Sequence, residues 1–303
     1  MSLKQDLEAQ WRHGGTLIRL IMINLGVFVL FILTYLALLL ITGSGDQARY
    51  MREMYLVQWL RTSSDPGFFI YRPWTIITYM FTHVGVGHVF WNMVLLWFSG
   101  RLFQDLLGGK RLLGNYLLGG IFGALLFILT VNVPSGDTFR PGMMGASAAV
   151  MSILVGIATY RPTMTVNLLL IGPVKLMYVA IVVVLLDLAG IGSGDGVAHA
   201  AHIGGAIYGF LAALQLKRGN DWSLGFANFL DRIGRIFRRD RVPKMRVEKK
   251  FVRSTVASDI SYNSAKRDKQ ARVDAILDKI SRSGYDSLSK EEKDFLFKAS
   301  GEG

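Results

Sequence analysis

The sequence contains no cysteine. Disulfide bonds, cysteine-ligated metal sites and thiol nucleophiles are therefore excluded. Lysine and arginine are scarce before residue 217, and most of the 34 lie after it, so the formal net charge of +12 is concentrated in a basic tail. No recognisable nucleic-acid-binding module accompanies this charge, and we expect no nucleic-acid partner.

Polar residues are too few for an ordinary soluble protein. Hydrophobic residues make up 51% of the chain, and the mean hydropathy is +0.35. They fall in long blocks, each of which predicts a transmembrane helix. The six predicted spans are residues 17–41, 87–107, 112–133, 145–161, 174–191 and 197–216. The first run is too long for a secretory signal and has no clear cleavage site. We therefore expect an all-α polytopic membrane protein with a six-helix bundle.

The distribution of basic residues predicts the orientation. Seven lysine and arginine residues flank the spans on the side of the tail: Arg101, Lys110, Arg111, Arg161, Lys175, Lys217 and Arg218. The opposite loops hold few, with Arg140 between spans three and four. By the positive-inside rule both termini are cytoplasmic. We expect an integral membrane protein whose fourth and sixth spans begin on the outer side.

The chain divides into five predicted segments. They are a cytoplasmic N-terminus (1–15), a six-transmembrane domain (16–216), a basic amphipathic helix (217–240), a polar linker (241–267) and a cytoplasmic helical hairpin (268–303). The basic helix is expected to contact anionic lipid headgroups. Aromatic residues in the loop 42–85 predict that it lies partly in the outer leaflet.

The fourth span is too short to cross a bilayer. From Ser147 to Tyr160 it is about 21 Å long, whereas a hydrocarbon core is about 30 Å thick. If Arg161 marks the cytoplasmic face, this helix begins inside the membrane. Residues 141–146 must then be irregular backbone that lines a wet cavity. The sequence thus predicts that Ser147 lies at the floor of a submerged pocket.

Polar residues of two other spans are predicted to lie level with Ser147. His88 and Asn92 share a helix face because they are four residues apart. His202 lies about five residues into the sixth span. Gly205 and Gly209 follow it and form a small face. The fourth span offers a matching small face of Ala148, Ser152 and Gly156, so the two helices can pack closely and bring His202 to Ser147.

Three interpretations of these residues compete. The first is a packing seam with a histidine hydrogen-bonded across it. The second is a metal site of His88, His199 and His202, which is disfavoured because no carboxylate lies at their level, Asp187 being expected deeper in span five. The third is nucleophilic catalysis, which the residue types favour. Ser147 would be the nucleophile and His202 its general base. His88, Asn92 and the Ser147 backbone N–H would stabilise an oxyanion.

At these residues the chain resembles the rhomboid family of intramembrane serine proteases. The matching elements are His88-x-x-x-Asn92, Gly145-x-Ser147 and Ala201-His202-x-x-Gly205-x-x-x-Gly209, in the family's order and on the second, fourth and sixth spans. Tyr71-Arg72 resembles the family's aromatic-arginine element, and His83 lies where a further histidine is common.

The resemblance implies a Ser147–His202 dyad that cleaves transmembrane segments of membrane proteins without a metal or cofactor. It also implies that span five and the loop 192–197 form a substrate gate. The residues expected to support the site are Gly145, Ala148, Met151, His83, His199, Gly205 and Gly209. Two of them depart from the common pattern. Ala148 replaces a glycine and is expected to crowd the oxyanion region, and Met151 replaces an aromatic residue that would stack on the histidine.

Two other functions compete with proteolysis. A catalytically silent relative that captures membrane helices would lack the serine or the histidine, and both are present. A transporter or channel would have internal repeats and charges along a path through the membrane, and the sequence has neither. The sequence indicates no oligomeric state.

Overall fold

The computed structural model describes residues 2–65, 67–132, 141–169, 171–189, 196–237 and 255–300. The chain forms two compact units, Met1–Asp240 and Arg241–Gly303. The helices of the first unit are, in chain order, α1 (Leu3–His13), α2 (Gly15–Thr42), α3 (Gly45–Tyr55), α4 (Phe68–Tyr71), α5 (Thr75–Thr78), α6 (Val86–Leu107), α7 (Gly109–Val131), α8 (Ser147–Tyr160), α9 (Leu176–Ala189), α10 (Gly196–Lys217) and α11 (Trp222–Phe237). Two antiparallel strand pairs accompany them, β1 (Thr62–Ser63) with β2 (Gly142–Met143) and β3 (Thr165–Leu168) with β4 (Gly172–Lys175).

The six predicted spans correspond to α2 and α6–α10, with ends that differ by a few residues. Among the described helices, α2 and α7 are each long and apolar enough to cross a membrane. The helices α8 and α9 are apolar but have only 14 residues each. The helices α6 and α10, with 22 residues each, carry the polar and small residues of the predicted site. The all-α bundle is therefore confirmed.

Helix α8 is the centre of the bundle. Eleven of its 14 residues are buried, which is possible because α6, α7 and α10 all pack against it. A helix that is apolar on every side is stable only when it is enclosed in this way. The same surroundings fix the position of its first residue, Ser147.

Helices α8 and α10 approach each other at backbone distance. A Cβ atom at Gly205 would lie 2.0 Å from the Ala148 carbonyl oxygen, and one at Gly209 would lie 2.1 Å from the Ser152 carbonyl oxygen. Any residue larger than glycine would therefore separate the two helices. We call this contact the α8–α10 seam. It confirms the close packing that the small faces predict.

The loop 42–85, which we call the first loop, is folded and contains α3, α4, α5 and strand β1. Arg72 holds part of it together, because its guanidinium lies 3.9 Å from the centre of the Trp59 ring and donates a 2.9 Å hydrogen bond to the Gln58 carbonyl. The Trp74 indole N–H donates to the Trp59 carbonyl at 2.8 Å. Tyr71, beside Arg72, is exposed.

Of the predicted basic amphipathic segment 217–240, residues 222–237 form α11, residue 217 ends α10 and residues 238–240 lie outside the described part of the chain. Helix α11 does not stand apart from the bundle. Arg111 of α7 pairs with Asp221, and Lys110 pairs with Asp231 at 2.6 Å. A Cβ atom at Gly114 would lie 2.0 Å from the Ser223 carbonyl oxygen. Helix α11 is therefore docked on the start of α7, and its contact with lipid stays a prediction.

The second unit contains α12 (Thr255–Ser283) and α13 (Lys290–Ser300). The predicted capping box is present, with Ser289 and Glu292 each bonding the other's backbone N–H. The hydrogen bond from Lys279 lowers the pKa of the Glu292 carboxyl below its usual value. Because α12 begins at Thr255, residues 255–267 are helical rather than linker, and residues 241–254 lie outside the described part of the chain.

The N-terminal segment contains a helix that was not predicted. A capping box between Ser2 and Gln5 opens α1. The Arg19 side chain donates to the Trp11 and Arg12 carbonyls near its end. These polar contacts cap a helix whose apolar residues, Leu3, Leu7 and Trp11, recur at four-residue spacing.

The seam makes a direct prediction. Gly205→Ala should destabilise the bundle by about 1–3 kcal/mol, because the new methyl overlaps a backbone carbonyl that no side-chain rotation can move. Thermal unfolding of the purified protein in detergent measures the effect. Gly26→Ala in α2 is the matched control, since a Cβ atom there has nothing within 4 Å. Equal unfolding temperatures for the two variants would contradict the close contact.

Candidate active site

The irregular segment before Ser147 is held in place by backbone contacts. Strand β2 pairs with β1 of the first loop, and the Gly145 N–H donates to the Tyr79 carbonyl at 2.8 Å. Gly145 has φ +121°, a conformation that favours glycine. This confirms the predicted irregular backbone between Pro141 and Ala146. It sets the direction in which α8 begins and so the direction of the serine.

Ser147 and His202 are in direct contact. The Ser147 Oγ atom lies 2.6 Å from the His202 Nε2 atom, across the α8–α10 seam. Both side chains are half-buried. The hydroxyl can donate its proton to a neutral imidazole in this geometry, which is the arrangement of a nucleophile and its general base. The structure thus brings together the two residues on which the chemical interpretation depends.

Asp187 lies beside the two histidines of α10, contrary to the sequence-based expectation. Its Oδ1 atom lies 2.5 Å from the His202 Nδ1 atom and 2.8 Å from the His199 Nδ1 atom. Helix α9 ends at Ala189, so Asp187 lies in its last turn and not deep in the bundle. The statement that no carboxylate accompanies the histidines was therefore wrong.

The same three residues are the candidates for holding a metal. The ligand atoms of Asp187, His199 and His202 lie within 4.8 Å of one another, and their types suit zinc. His88, the other residue of the predicted metal site, contacts Gly145 instead. In the described structure each of the three ligand atoms makes a hydrogen bond within the cluster, and these bonds account for the arrangement.

Of the two predicted oxyanion residues, His88 lies against the segment 141–146 that precedes Ser147. A Cβ atom at Gly145 would lie 2.6 Å from both the Cε1 and Nε2 atoms of His88, so the imidazole covers this glycine. Asn92 follows one turn later and is largely buried, and one of its amide N–H groups donates to the His88 carbonyl at 2.9 Å.

The start of α8 supplies further donors. The first hydrogen bond of the helix runs from the Val150 N–H to the Ala146 carbonyl at 2.9 Å. The N–H groups of Ser147, Ala148 and Ala149 therefore have no partner within the helix, and the helix dipole adds positive charge there. The Ala146 N–H is already used, because it donates to the Nε2 atom of the buried His83 at 3.2 Å. His83 thus positions the loop.

The two departures from the common pattern are both buried. A Cβ atom at Gly123 would lie 2.6 Å from the Ala148 Cβ atom, so the Ala148 methyl faces α7. The crowding of the oxyanion region by this methyl stays a prediction. Met151 is buried one turn after the serine, and its contact with the His202 ring stays a prediction. The predicted gate loop 192–197 lies outside the described residues except for its last two, which begin α10.

Comparison with known proteins places these residues in one domain. A model described as Rhomboid domain matches residues 71–219, and a model described as Family of unknown function (DUF6576) matches residues 258–302. The first match contains every predicted site residue.

Three similar proteins illustrate the range of relatives. The chain is 29% identical over 157 residues to "RHOMBOID-like protein 12, mitochondrial" of Arabidopsis thaliana, covering 48% of this chain and 47% of that protein. It is 31% identical over 132 residues to "Presenilin-associated rhomboid-like protein A, mitochondrial" of Danio rerio, covering 43% and 34%. It is 28% identical over 144 residues to "Rhomboid protease GluP" of Bacillus subtilis, covering 47% and 26%. The chain therefore matches less than half the length of each.

The contact between Gly145 and His88 can be tested through the reactivity of the serine. In Gly145→Ala, labelling of Ser147 by a fluorophosphonate should slow by about tenfold or more, because the methyl displaces His88 and strains the loop. Gly172→Ala is the matched control, since Gly172 also has positive φ but a Cβ atom there has nothing within 4 Å. Unchanged labelling of Gly145→Ala would show that this contact does not shape the site.

Proposed function

The chain belongs to the rhomboid family, and from this premise we propose that it is an intramembrane serine endopeptidase that cleaves transmembrane segments of other membrane proteins. The family match supports an integral membrane protein with protease ancestry. The observation that carries the proposal is the 2.6 Å contact between Ser147 Oγ and His202 Nε2. A histidine with a packing role alone has no reason to contact a serine hydroxyl at the first residue of a helix, where free backbone N–H groups lie beside it.

The proposed reaction assigns each group a role. Ser147 Oγ attacks the carbonyl carbon of the scissile bond, and its proton passes to His202 Nε2. The oxyanion that forms is stabilised by the Ser147 backbone N–H and by the side chains of His88 and Asn92. His202 then gives the proton to the leaving amine. Water hydrolyses the acyl-enzyme with the same histidine as base.

The small residues around the site support access of an extended peptide. Segment 141–146 is irregular and partly exposed, with Gly142 and Pro141 accessible. A substrate helix must unwind to present its carbonyl to Ser147, because the intact helix uses that carbonyl in its own hydrogen bonding. Transmembrane segments with small residues near the cleavage point are therefore the proposed substrate class.

The proposed location is a membrane in which both termini face the cytoplasm and the site opens to the other side. The distribution of basic residues supports this orientation, and a bacterial inner membrane is the proposed compartment. The exposed Arg232 and Arg235 of α11 support contact with anionic lipid at the cytoplasmic face.

The protease proposal is tested by cleavage of a model transmembrane substrate in proteoliposomes. Ser147→Ala and His202→Ala should each lower kcat by at least about 10³-fold, because nucleophile and base act as a unit. Ser99→Ala in α6 should cleave like the wild type, since among the described residues the Ser99 hydroxyl donates to the Leu95 carbonyl of its own helix. Equal cleavage by wild type, Ser147→Ala and His202→Ala would reject the proposal.

The orientation is tested by labelling single cysteines, for which the cysteine-free chain is a ready background. Val86→Cys and Leu106→Cys introduce thiols at exposed positions at the two ends of α6. In intact cells a membrane-impermeant maleimide should label Val86→Cys and leave Leu106→Cys unlabelled until the membrane is opened. The reverse pattern would invert the proposed topology.

A further inference from the structure

One carboxylate oxygen joins the site to helix α9. Asp187 Oδ1 is within hydrogen-bond distance of two imidazole nitrogens, 2.5 Å from His202 Nδ1 and 2.8 Å from His199 Nδ1. The side chains of Asp187, His199 and His202 keep only 12%, 15% and 18% of their surface exposed. The two histidines lie three residues apart on α10, so they present their rings on the same face of that helix. The arrangement is compact and largely shielded from solvent.

The hydrogen bond with the serine decides which nitrogen of His202 carries its proton. If the Ser147 hydroxyl donates to Nε2, the neutral imidazole must hold its hydrogen on Nδ1. That N–H points at Asp187 Oδ1, which accepts it. A carboxylate here therefore selects the tautomer in which Nε2 is free to take the serine proton. It also fixes the plane of the ring.

The carboxylate has a second effect once the serine attacks. The proton that leaves Ser147 Oγ turns His202 into an imidazolium while the Oγ–carbon bond forms. Asp187 remains ionised and lies 2.5 Å from the positive ring. The opposite charges stabilise that state, and the proton still passes from Nε2 to the leaving amine. His199 donates to the same oxygen and so holds the carboxylate in place.

Asp187 also links the C-terminal end of α9 to α10 through hydrogen bonds. The buried residues of α9 are Leu176 and Ala180, both in its first half. Beyond Ala180 the helix exposes large apolar side chains: Ile181, Val182, Leu185, Leu186 and Leu188. Among the described residues of this part of α9, Asp187 makes the side-chain hydrogen bonds to another helix, both of them to α10. The C-terminal end of α9 thus depends on this carboxylate.

We propose that Asp187 is a positioning residue for His202, and that the same carboxylate fastens the C-terminal end of α9 to α10. Movement of that end away from α10 then removes the partner of His202 Nδ1, so that the base is correctly oriented only when α9 is closed against the bundle. The catalytic part of this inference rests on the proposed protease function. The attachment of α9 rests on the contacts alone.

The catalytic part is tested by steady-state cleavage in proteoliposomes. Asp187→Asn should lower kcat by about 10²- to 10⁴-fold with KM changed by less than about threefold, because the amide fits the site but does not select the tautomer. Asp187→Glu should recover part of that loss, because it restores the carboxylate. Asp105→Asn is the matched control, since Asp105 is an exposed carboxylate on α6 that pairs with Arg101 at 3.9 Å.

The outcomes separate positioning from folding. A thermal unfolding curve is recorded for each variant, so that kcat refers to folded enzyme. If Asp187→Asn is folded and its kcat stays within about twofold of the wild type, the positioning role is overturned. If Asp187→Asn only unfolds at lower temperature and its folded fraction cleaves normally, the residue is structural and the role is likewise overturned.

The attachment is tested by nitroxide distances in the cysteine-free chain. One pair, Leu188→Cys with Ile207→Cys, reports the C-terminal end of α9, and another, Tyr178→Cys with Leu211→Cys, reports its start. Asp187→Asn should broaden and lengthen the first distribution and leave the second unchanged. An unchanged first distribution overturns the attachment.

Failure of the proposed function is distinguishable from failure of this inference. A wild type that cleaves no more than Ser147→Ala rejects the protease and with it the catalytic role of Asp187. The nitroxide distances still decide whether the carboxylate holds α9.

Discussion

The site depends on the contact between two backbones at the α8–α10 seam. Gly205 and Gly209 lie against the carbonyl oxygens of Ala148 and Ser152, with no room for a Cβ atom. Side chains of ordinary size would hold the helix axes about 8–10 Å apart. At that separation an imidazole on one helix and a hydroxyl on the other would need different rotamers to meet. The 2.6 Å contact of His202 with Ser147 follows from the absence of side chains one turn away.

A second constraint places Ser147 level with His202 along the axis of the helix bundle. Helix α8 has 14 residues, and the segment before it is tied to the first loop through strands β1 and β2 and through the Tyr79 carbonyl. These bonds satisfy backbone groups that would be costly if they faced lipid. They also leave the first N–H groups of α8 without helical partners at the place where an oxyanion would form. The folded first loop therefore holds the segment that allows α8 to be short.

Much of this could be predicted from the sequence because the signals are local. Hydrophobic runs indicate the six helices of the bundle, and the small residues at four-residue spacing indicate the seam. The basic helix α11 and the capping box at Ser289 follow from spacing in the same way. The proposed oxyanion roles of His88 and Asn92 follow from their residue types and their shared helix face, and the resemblance to a known family implies the same roles.

What could not be predicted depends on contacts between distant segments. The position of Asp187 along the bundle axis depends on where α9 ends, and an apolar run in the sequence does not mark the last residue of that helix. The direction of the Ala148 methyl depends on the rotation of α8 against Gly123, which a list of small residues leaves open. The docking of α11 depends on the pairing of Arg111 with Asp221, 110 residues away in the chain. A basic amphipathic pattern is equally consistent with a helix that lies on lipid.

The position of Asp187 is unfavourable for helix α9 taken alone. The residue lies in the last turn, where unpaired carbonyl groups give the helix end a partial negative charge, and a carboxylate there is repelled. The apolar surroundings add a cost of desolvation. Two imidazole N–H groups converge on one of its oxygens and offset both costs. An asparagine would avoid both penalties, but its amide offers an N–H as well as an oxygen and so does not fix the tautomer of His202. The presence of a charged residue is therefore better explained by the charge that would develop on His202 in the proposed attack than by the stability of α9.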